Sequence, residues 1–560
     1  HGFFMLGGGD DARWEGGIFE NEYVREDGAW KISRLHYYPQ FAGPYESGWK
    51  NVGPTQPIFP YHFTPQETGV PIPPAEGPAP ETTATLSELE RRIDALNAQD
   101  AVRNLQNAYG YYVDRKMWDD VTDLFTEDGV FEVGGVGVYE GSANIRRALE
   151  RDGPAGLKHG ELFEHPLFDT IVEISADGRE AQLRGIELGM LGNANAGEAW
   201  WSVRVFGNRM VKGDDGKWRI REMRLFPTFK TDYYQGWGKS RIVDPRPPAQ
   251  FAPNRAASSA GENVIPAFFL KNPATGQPVS YPPQAIVVAK DRLLAPASQQ
   301  GVARPSGDFS ARLAEARRRL GLSTAYHGMV NVAAAYSEYL DDSQFPEMGA
   351  LFAEKGVKEV PYTGFYIGQE RVSRRSSVVP VNERTSVSFH WLLQPVVDVA
   401  PDGRSAQVRT RMFQPRTTPD GNSANIGNGM DLQQAILENG VWKLWHVLVD
   451  QHHLSYGSYK GGWARLPPPQ PRGIRAPGSG GNTNPFPPDI PETALGKRKE
   501  GFIGGIGTPV NWPGIMPMWF HYKNPVSGRV PELHWPICGT CEIAPETSMD
   551  RHGYMLPAEP

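Results

Sequence analysis

The fold of this chain is decided by the stretch WRIREMRLFPTFKTDYYQGW, which runs from Trp218 to Trp237. The same pattern occurs twice more, as Trp30-Lys-Ile-Ser-Arg ending in Tyr45-Glu-Ser-Gly-Trp49 and as Trp442-Lys-Leu-Trp-His ending in Tyr459-Lys-Gly-Gly-Trp463. Each copy follows a short acidic turn that contains glycine: Glu26-Asp27-Gly28, Asp214-Asp215-Gly216 and Glu438-Asn439-Gly440. An Asp-Gly or Asn-Gly turn between alternating apolar runs is a hairpin signal. Each copy therefore predicts two antiparallel strands joined by a turn.

The upstream part of the repeat is complete in only two copies, about 225 residues apart. Apolar residues and an aspartate at helical spacing recur in both, namely Leu105, Tyr109, Tyr112 and Asp114, then Val332, Tyr336, Tyr339 and Asp341. The run from Asp177 to Arg184 recurs as Asp402 to Arg409, and His165 recurs as His390. The first copy lacks all of this. The chain thus holds half a repeat followed by two whole ones.

A further turn motif trails each copy on a Pro-rich arm. Phe268–Gly276 resembles Trp519–Gly528, and Thr64–Gly69 is a looser version. Asn-Pro-x-Thr/Ser-Gly is turn chemistry, and we expect these aromatic hairpins to pack on another domain or another chain. The predicted domains are residues 1–80 (half copy plus arm), 85–283 and 308–535 (whole copies plus arm hairpins), and 536–560 (a C-terminal tail).

Each whole copy begins with helices and continues as strands, which predicts the α+β class. In the second copy Thr85 and Glu88 form a capping box before the apolar stripe Leu86 to Leu96. A second helix is predicted over 100–114 and a short third over 118–125. Strands are predicted over 130–139, 163–175, 181–190, 199–212 and 218–230, with a short helix near 143–150. A curved antiparallel sheet around a helix forms a cone whose open mouth suits a ligand.

Composition excludes several classes of protein. With 11% aromatic residues in 560, the chain can bury large cores, so wholesale disorder is excluded. No apolar run reaches the ~18–20 residues of a membrane helix. The net charge of −7 and the absence of a basic tract argue against nucleic-acid binding. Both cysteines, Cys538 and Cys541, lie in one tight loop, as a local disulfide or two thiols, and favour an exported bacterial protein, periplasmic or extracellular.

The order of these motifs resembles the SnoaL-like family. The motifs are Tyr-x-x-Tyr-x-Asp-x-x-x-Trp, Leu-Phe-x-x-Asp-Gly, a histidine, Asp-Gly-x-x-Ala and Asp-Gly-x-Trp. That family includes polyketide cyclases and scytalone dehydratase and has the nuclear transport factor 2-like fold. The resemblance covers residues 85–240 and 310–465, plus half a copy over 1–50. It implies tandem cone-shaped domains joined by Pro-rich arms.

The resemblance also implies candidate site residues. Asp114 with His165, and Asp341 with His390, match the carboxylate and histidine that move protons in dehydratase-like members. Tyr112 and Tyr339 are candidate hydrogen-bond donors to a substrate oxygen, although their helical spacing fits a core role better. The aspartates equally fit a structural role at a helix end. Asp169 and Gln394, four residues after each histidine, are expected on the same pocket wall.

Two functions follow from these patterns. The first is a lyase, isomerase or cyclase that uses Asp–His acid–base chemistry on a small aromatic or polycyclic molecule, with no cofactor and no metal. The second is a non-catalytic structural or binding subunit of a homo-oligomeric assembly or filament, joined through the arms. Tandem copies and long arms favour the second, and the repeated Asp and His favour the first.

The first half copy raises a question of cover. Its strands, predicted over 13–24 and 30–40, carry many apolar side chains, and burial of a large one is worth ~1.5–3 kcal/mol. Three arrangements would cover them: chain upstream of His1, a neighbouring chain, or packing on the first whole domain. The first is the one we expect, with a neighbouring chain second.

Overall fold

The fold was analysed in a computed structural model, which describes residues 1–67, 83–258, 264–288, 307–360, 364–376, 383–453, 459–465, 486–491 and 520–531. In the first copy four strands form one antiparallel sheet in the order β1-β2-β3-β4, without a helix. These strands are β1 (Gly2–Gly8), β2 (Asp11–Glu26), β3 (Ala29–Pro44) and β4 (Lys50–Asn51). A two-residue strand, β5 (Gln56–Pro57), follows on the arm.

The second copy places three helices against a seven-stranded sheet of order β7-β6-β12-β11-β10-β8, with β9 also paired to β10. Its helices are α1 (Leu86–Asp114), α2 (Trp118–Asp123) and α3 (Ser142–Leu149). Its strands are β6 (Phe125–Val133), β7 (Gly137–Glu140), β8 (Glu161–Glu164), β9 (Leu167–Ile174), β10 (Glu180–Asn193), β11 (Glu198–Lys212) and β12 (Trp218–Asp232). The arm then adds the short pair β13 (Ile265–Pro266) and β14 (Val287–Val288).

The third copy repeats this plan with the order β18-β19-β20-β21-β15-β16-β22. Its helices are α4 (Phe309–Asp341), α5 (Phe345–Ala350) and α6 (Gln369–Ser376). Its strands are β15 (Phe352–Val360), β16 (Gly364–Ile367), β17 (Glu383–Arg384), β18 (Trp391–Val399), β19 (Ser405–Thr417), β20 (Ala424–Glu438), β21 (Val441–His453) and β22 (Ile490–Pro491). The α+β order predicted from the sequence is confirmed in both whole copies.

The long first helix differs from the prediction. The two helices expected over 86–96 and 100–114 are one continuous helix, α1, although its capping box at Thr85 and Glu88 is confirmed. Asp100 does not end the first helix, because its carboxylate accepts a hydrogen bond of 2.7 Å from Ser323 of α4. Asn97 also donates to the carbonyl of Arg319. These two polar residues therefore join α1 to the helix of the other copy.

The three tryptophans that close the repeats lock the copies into a ring. Trp49 donates its indole N–H to the carbonyl of Arg416, Trp237 donates to Leu6 and Trp463 donates to Leu191, at 2.6 to 2.9 Å. By sheet register these three acceptors are equivalent, since each precedes its copy's turn at the same position. The first copy thus binds the third, the second binds the first and the third binds the second. A contact that repeats in this head-to-tail sense and returns to its start closes a ring.

The glycine before each of these tryptophans meets the tyrosine of the next copy. Gly236 faces the ring of Tyr45, and Gly48 and Gly462 face Tyr459 and Tyr233 in the same cyclic sense. A Cβ atom on Gly236 would lie 2.3 Å from the Tyr45 ring, and the residue also has a φ of +75°. The Tyr-x-x-Gly-Trp motif is therefore the joint between copies. Its rings, with Trp14 and Trp201, form one buried aromatic cluster at the centre of the molecule.

The arms also pack within the chain. The hairpin at 520–531 lies on the second copy, where Phe520 stacks on Tyr112 and Asn524 donates to the carbonyl of Asp120. The arm of the first copy lies on the third copy, where Tyr61 and Phe63 contact Tyr339. The expectation that aromatic hairpins pack on another domain is confirmed for 520–531. The arms of the first and third copies, which we expected to join separate chains, bind other copies of the same chain, whereas Phe268 of the second arm lies against Arg184 of its own copy.

The half copy is covered at one end only. Near the ring, Trp14 and Phe41 are fully buried among residues of both whole copies, which fits the third of the three expected arrangements. Further from the ring, Tyr23, Trp30, Ile32 and Leu35 remain exposed.

Two predictions concern export and membrane-spanning helices. Cys538 and Cys541, with the predicted 536–560 tail, lie outside the described residues, so export stays a prediction. Across the helices that the structure describes, none is long and apolar enough to cross a membrane.

Substitution of Gly236 by alanine tests the joint between copies. Gly236→Ala adds a clash with Tyr45 to the strain of a positive φ, and overpacking of a filled site costs ~1–3 kcal/mol. Gly216→Ala is the matched control, because Gly216 has a φ of +78° but no atom within 4 Å of the added Cβ. We expect Gly236→Ala to lower the free energy of unfolding in urea by ~1–3 kcal/mol more than Gly216→Ala. Equal losses would mean that the joint tolerates the extra carbon.

Candidate active site

The second copy brings Asp114 and His165 together at the end of α1. Asp114 is the last residue of α1, and His165 lies between β8 and β9. One carboxylate oxygen of Asp114 accepts the backbone N–H of His165 at 2.7 Å and lies 3.3 Å from the ring atom Nδ1. Both side chains are almost completely buried. The carboxylate therefore orients the imidazole and leaves Nε2 as the ring atom that is free of Asp114.

The other oxygen of Asp114 is bound by a residue from a different copy. Arg411 of β19 forms ion pairs with both Asp114 and Glu164 and is itself fully buried. Arg115 completes the network by donating to Glu164 at 2.9 Å. Burial lowers the pKa of Arg411 to about 10, so the guanidinium stays charged at neutral pH. The third copy thus supplies the counter-ion that fixes the aspartate of the second.

Charged residues of the second copy surround His165, and the sequence analysis did not identify them. Glu187 and Arg204 are cross-strand partners on β10 and β11, with 3.3 Å between the guanidinium and the carboxylate. Burial and the charge of Glu187 raise the pKa of the Tyr109 hydroxyl, and the charge of Arg204 lowers it. Tyr109 lies five residues before Asp114 on α1. A comparison of the two whole copies could have identified Glu187 and Arg204, because their counterparts in the third copy, Met412 and Gly429, carry no charge.

The surroundings of His165 keep its ring neutral. Burial lowers its pKa well below the usual value, and the positive charges of Arg204, Lys116 and Lys230 lower the pKa further. Asp114 sits against the ring, but its charge is already paired with Arg411. At neutral pH the ring is therefore unprotonated at one nitrogen and can accept a proton there, although the lowered pKa also makes it a weaker base.

The third copy holds the same pair in a different environment. Asp341 lies 2.5 Å from Nδ1 of His390 and accepts its backbone N–H at 2.9 Å. Burial raises the pKa of Asp341, and His390 opposes that shift. The second ring nitrogen of His390 is engaged, because the amide nitrogen of Gln414 lies 2.8 Å from Nε2. In the second copy the residue equivalent to Gln414 is Gly189, which has no side chain that could bind Nε2 of His165.

Tyr112 and Tyr339 lie away from both Asp–His pairs. Tyr112 packs against Phe520 and Tyr522, and Tyr339 donates to the carbonyl of Phe63. Burial raises the pKa of both hydroxyls, to about 12 in Tyr339. Both tyrosines thus contact the arms, and their role as donors to a substrate oxygen stays a prediction. Two residues along a helix point to different sides, so a tyrosine two positions before the aspartate faces the arm instead.

Asp169 and Gln394 do not form a wall beside the histidines either. Both have a positive φ, of 52° and 58°, and both lie where the register of their strand shifts. The amide of Gln394 therefore turns outward to the second copy, where it donates to the carbonyl of Asn107 at 2.9 Å. Asp169 is exposed. The two-residue strand period that placed them beside the histidines fails at this bulge.

A cavity of about 210 Å³ lies elsewhere, between the first copy and α4. Its walls include Phe19, Phe59, Asn331, Glu338 and Asp342. The expectation was that each Asp–His pair faces an open cavity, but neither pair borders this one. Among the described residues, no three His, Cys, Asp or Glu side chains converge as metal ligands do.

Comparison with known families identifies the two whole copies. The family model of the SnoaL-like domain matches residues 94–224 and 323–447. The chain contains two SnoaL-like domains. Each match begins within the long helix, α1 or α4, and ends in the last long strand, β12 or β21. The tandem α+β fold of the nuclear transport factor 2-like kind, implied by the sequence motifs, is confirmed.

Several solved structures are similar to one SnoaL-like copy. A putative scytalone dehydratase from Novosphingobium aromaticivorans is 20% identical, with 27% of this chain and 97% of that chain covered and a TM-score of 0.22. An NTF2-like protein with a cystatin-like fold from the same organism is 19% identical over 26% and 90%, with a TM-score of 0.21. The hexachlorocyclohexane dehydrochlorinase LinA-type3 from Novosphingobium barchaimii is 17% identical over 28% and 99%, with a TM-score of 0.23. A search of the curated proteins finds no match.

The ion pair between Arg411 and Asp114 is tested by removing one or both charges. Arg411→Met leaves a buried carboxylate without its counter-ion, and breaking a buried pair in this way costs ~3–5 kcal/mol. Asp114→Asn in the same molecule removes the orphaned charge. We expect the double variant to recover most of the free energy of unfolding lost by Arg411→Met, measured by denaturant titration. A loss below ~1 kcal/mol in Arg411→Met would show that the pair is energetically neutral.

The lowered pKa of His165 predicts a pH dependence of stability. In the unfolded chain His165 takes up a proton below about pH 6.5, whereas the folded ring stays neutral until a lower pH. The unfolded state therefore binds more protons, and stability falls as the pH drops below about 6.5, by ~1.4 kcal/mol per pH unit. His165→Asn keeps a donor toward Asp114 but does not titrate. We expect the difference in unfolding free energy between wild type and His165→Asn to shift by this slope between pH 6.5 and 5. A constant difference would contradict the lowered pKa.

Proposed function

We propose that the protein is a cofactor-independent lyase or isomerase that acts on a small aromatic or polycyclic molecule in the SnoaL-like domain of the second copy. The domains of the second and third copies are called the second and third domains below. The observation that carries this proposal is the neutral His165, held by Asp114 and surrounded by positive charge. A neutral base beside fixed cations suits abstraction of a proton that leaves negative charge on the substrate. The proposal rests on this site rather than on the fold, since one fold hosts many functions.

In this proposal His165 removes a proton from carbon through Nε2. Asp114 holds the Nδ1 side of the ring and stabilises the imidazolium that forms, as the buried carboxylate does in other oriented histidines. Arg411 prevents Asp114 from taking the proton itself, because an ion-paired carboxylate is a weak base. Arg411 touches neither the substrate nor the reacting atoms, and it therefore acts as a positioning residue.

Arg204 stabilises the negative charge that the substrate gains. An enolate or alkoxide oxygen is the group on which that charge collects, and fixed donors aimed at it lower the barrier. The carboxylates of Glu187, Asp152 and Asp244 outweigh burial and raise the pKa of Arg204, so the guanidinium remains charged. Tyr109, beside Glu187 and Arg204, is the second donor in this proposal. The intermediate then expels a leaving group, as in a lyase, or takes the proton back at another atom, as in an isomerase.

The third domain has the same pair but lacks the other elements of this site. Gln414 occupies Nε2 of His390, and Met412 and Gly429 replace the charged Glu187 and Arg204. We assign this domain a supporting role, since it supplies Arg411 to the second. The alternative of a wholly non-catalytic subunit is the outcome that the following experiment would favour if the second domain shows no proton transfer.

Exchange of substrate protons in D₂O tests the proposal without knowledge of the natural product. The probes are one- and two-ring aromatic ketones with acidic α-protons, such as tetralone and indanone, followed by ¹H NMR. We expect the wild type to accelerate loss of the α-proton signal and His165→Ala to abolish the acceleration. General-base removal of this kind costs ~10²–10⁴-fold. His390→Ala is the matched control and should retain at least half of the wild-type rate.

Two results would contradict the proposal. Equal loss of exchange in His165→Ala and His390→Ala would mean that the effect is not specific to the second domain. No acceleration by folded wild type with any probe would favour the non-catalytic alternative. Circular dichroism of each variant separates loss of chemistry from loss of fold, because a catalytic histidine can be removed without unfolding the domain.

A further inference from the structure

The first copy exposes the face that the whole copies cover with a helix. Trp30, Ile32 and Leu35 are between 58% and 63% exposed. Their counterparts in the second copy are Trp218, Ile220 and Met223, which are at most 7% exposed and belong to the core that includes α1. Tyr23 behaves in the same way, since it is 56% exposed and its counterpart Met210 is fully buried. Contiguous apolar surface of this kind marks a site of interaction.

The adjoining face of the second copy is exposed as well. Ile171 and Ile186 of β9 and β10 are 44% and 38% exposed. Their counterparts in the third copy are Val396 and Arg411, which are buried where α1 crosses from the second copy. The ring therefore repeats one arrangement, in which the helix of each copy lies between its own sheet and the sheet of the next. The helix that belongs between the first and second sheets is the one that the described chain does not supply.

The cavity beside α4 fits the same arrangement. On α1, the side chains of Asn104, Asn107 and Tyr111 donate to three backbone carbonyls of β18, at 2.6 to 2.9 Å. The equivalent residues on α4 are Asn331, Ala334 and Glu338. Asn331 and Glu338 line the 210 Å³ cavity, as does Ala334, and they face the first copy. The cavity thus lies where a strand equivalent to β18 would run.

The arm of the second copy has half of its expected partners. In the third copy Arg409 lies under Phe520, at 5.0 Å, and against Tyr111 of α1, at 5.4 Å. In the second copy Arg184 lies under Phe268 at 4.0 Å. By the order of the copies, the position beside Arg184 that is equivalent to Tyr111 belongs to the helix that the described chain does not supply.

We infer that these surfaces form one docking site for the helical half of a SnoaL-like domain. This docking face is lined by Tyr23, Trp30, Ile32, Leu35, Ile171 and Ile186. Its occupant is an amphipathic helix of the α1 and α4 kind, with an apolar stripe toward the first sheet and amide or hydroxyl groups toward β9. The strand that follows this helix fills the cavity beside α4. The two occupied positions of the ring supply the argument, because they show what covers each equivalent face. The exposed face also continues the interface between copies, in which a helix is the covering element. This favours a helix over contact between two complete chains.

The experiment titrates the full 560-residue chain into a fluorescein-labelled peptide of the α1 sequence, Leu86–Asp114, and follows fluorescence anisotropy. We expect saturable binding with one peptide per chain, accompanied by a blue shift of Trp30 emission. The double variant Ile32→Glu with Leu35→Glu should weaken binding at least tenfold. Val243→Glu, at an exposed aliphatic residue outside the docking face, should leave the affinity for the peptide unchanged. A peptide with Val102→Glu and Leu105→Glu, which breaks the apolar stripe of α1, should not bind.

Three outcomes would overturn the inference. The first is a failure of peptide binding to saturate. The second is binding of the peptide by the Ile32→Glu and Leu35→Glu variant as tightly as by wild type. Sedimentation velocity gives the third, a wild-type dimer that the same double variant converts to monomer, since the occupant would then be a second copy of the whole chain. The substituted residues are exposed, so the variants keep their fold, and this test does not depend on activity at His165.

Discussion

The joint formed by Tyr-x-x-Gly-Trp is the interaction on which the rest of this molecule depends. It combines an indole N–H bound to the backbone of a neighbouring copy with a glycine that admits a neighbouring tyrosine. Neither element has tolerance for a larger or displaced side chain, because the aromatic cluster is close-packed. The joint therefore sets the angle between copies, and with it the position of every residue that one copy presents to another.

The proposed active site is one consequence of this geometry. Arg411 reaches Asp114 only because the third copy is locked against α1, through Gln394 and the backbone of β18. A buried ion pair by itself adds little stability, since desolvation offsets the attraction. What it adds here is a defined charge state for the aspartate and a defined orientation for His165. The proposed chemistry of one domain thus depends on the packing of another.

Much of this organisation could be predicted from the sequence, and the reason for the rest is physical. Repeats, the α+β order and the pairing of Asp114 with His165 follow from local patterns that recur in the chain. The bulge at Gln394 was missed, because the two-residue strand period was carried through it, although Pro395 inside a strand is a bulge signal. Arg411 and Arg204 were also not identified from the sequence, because contacts across copies and across strands depend on register. Alignment of the two whole copies would have revealed Glu187 and Arg204 as charges at positions that are apolar in the other copy.

The joining of all copies in one polypeptide has a genetic consequence. In a ring of three identical chains, every substitution appears three times, and a residue that benefits one position must be tolerated at the others. Here the position that holds Arg411 in the third copy holds Ile186 in the second, and the position of Gln414 holds Gly189. Equivalent positions of the copies therefore hold different residues. A single polypeptide that contains all the copies can hold a different residue at each equivalent position, which three identical chains cannot do.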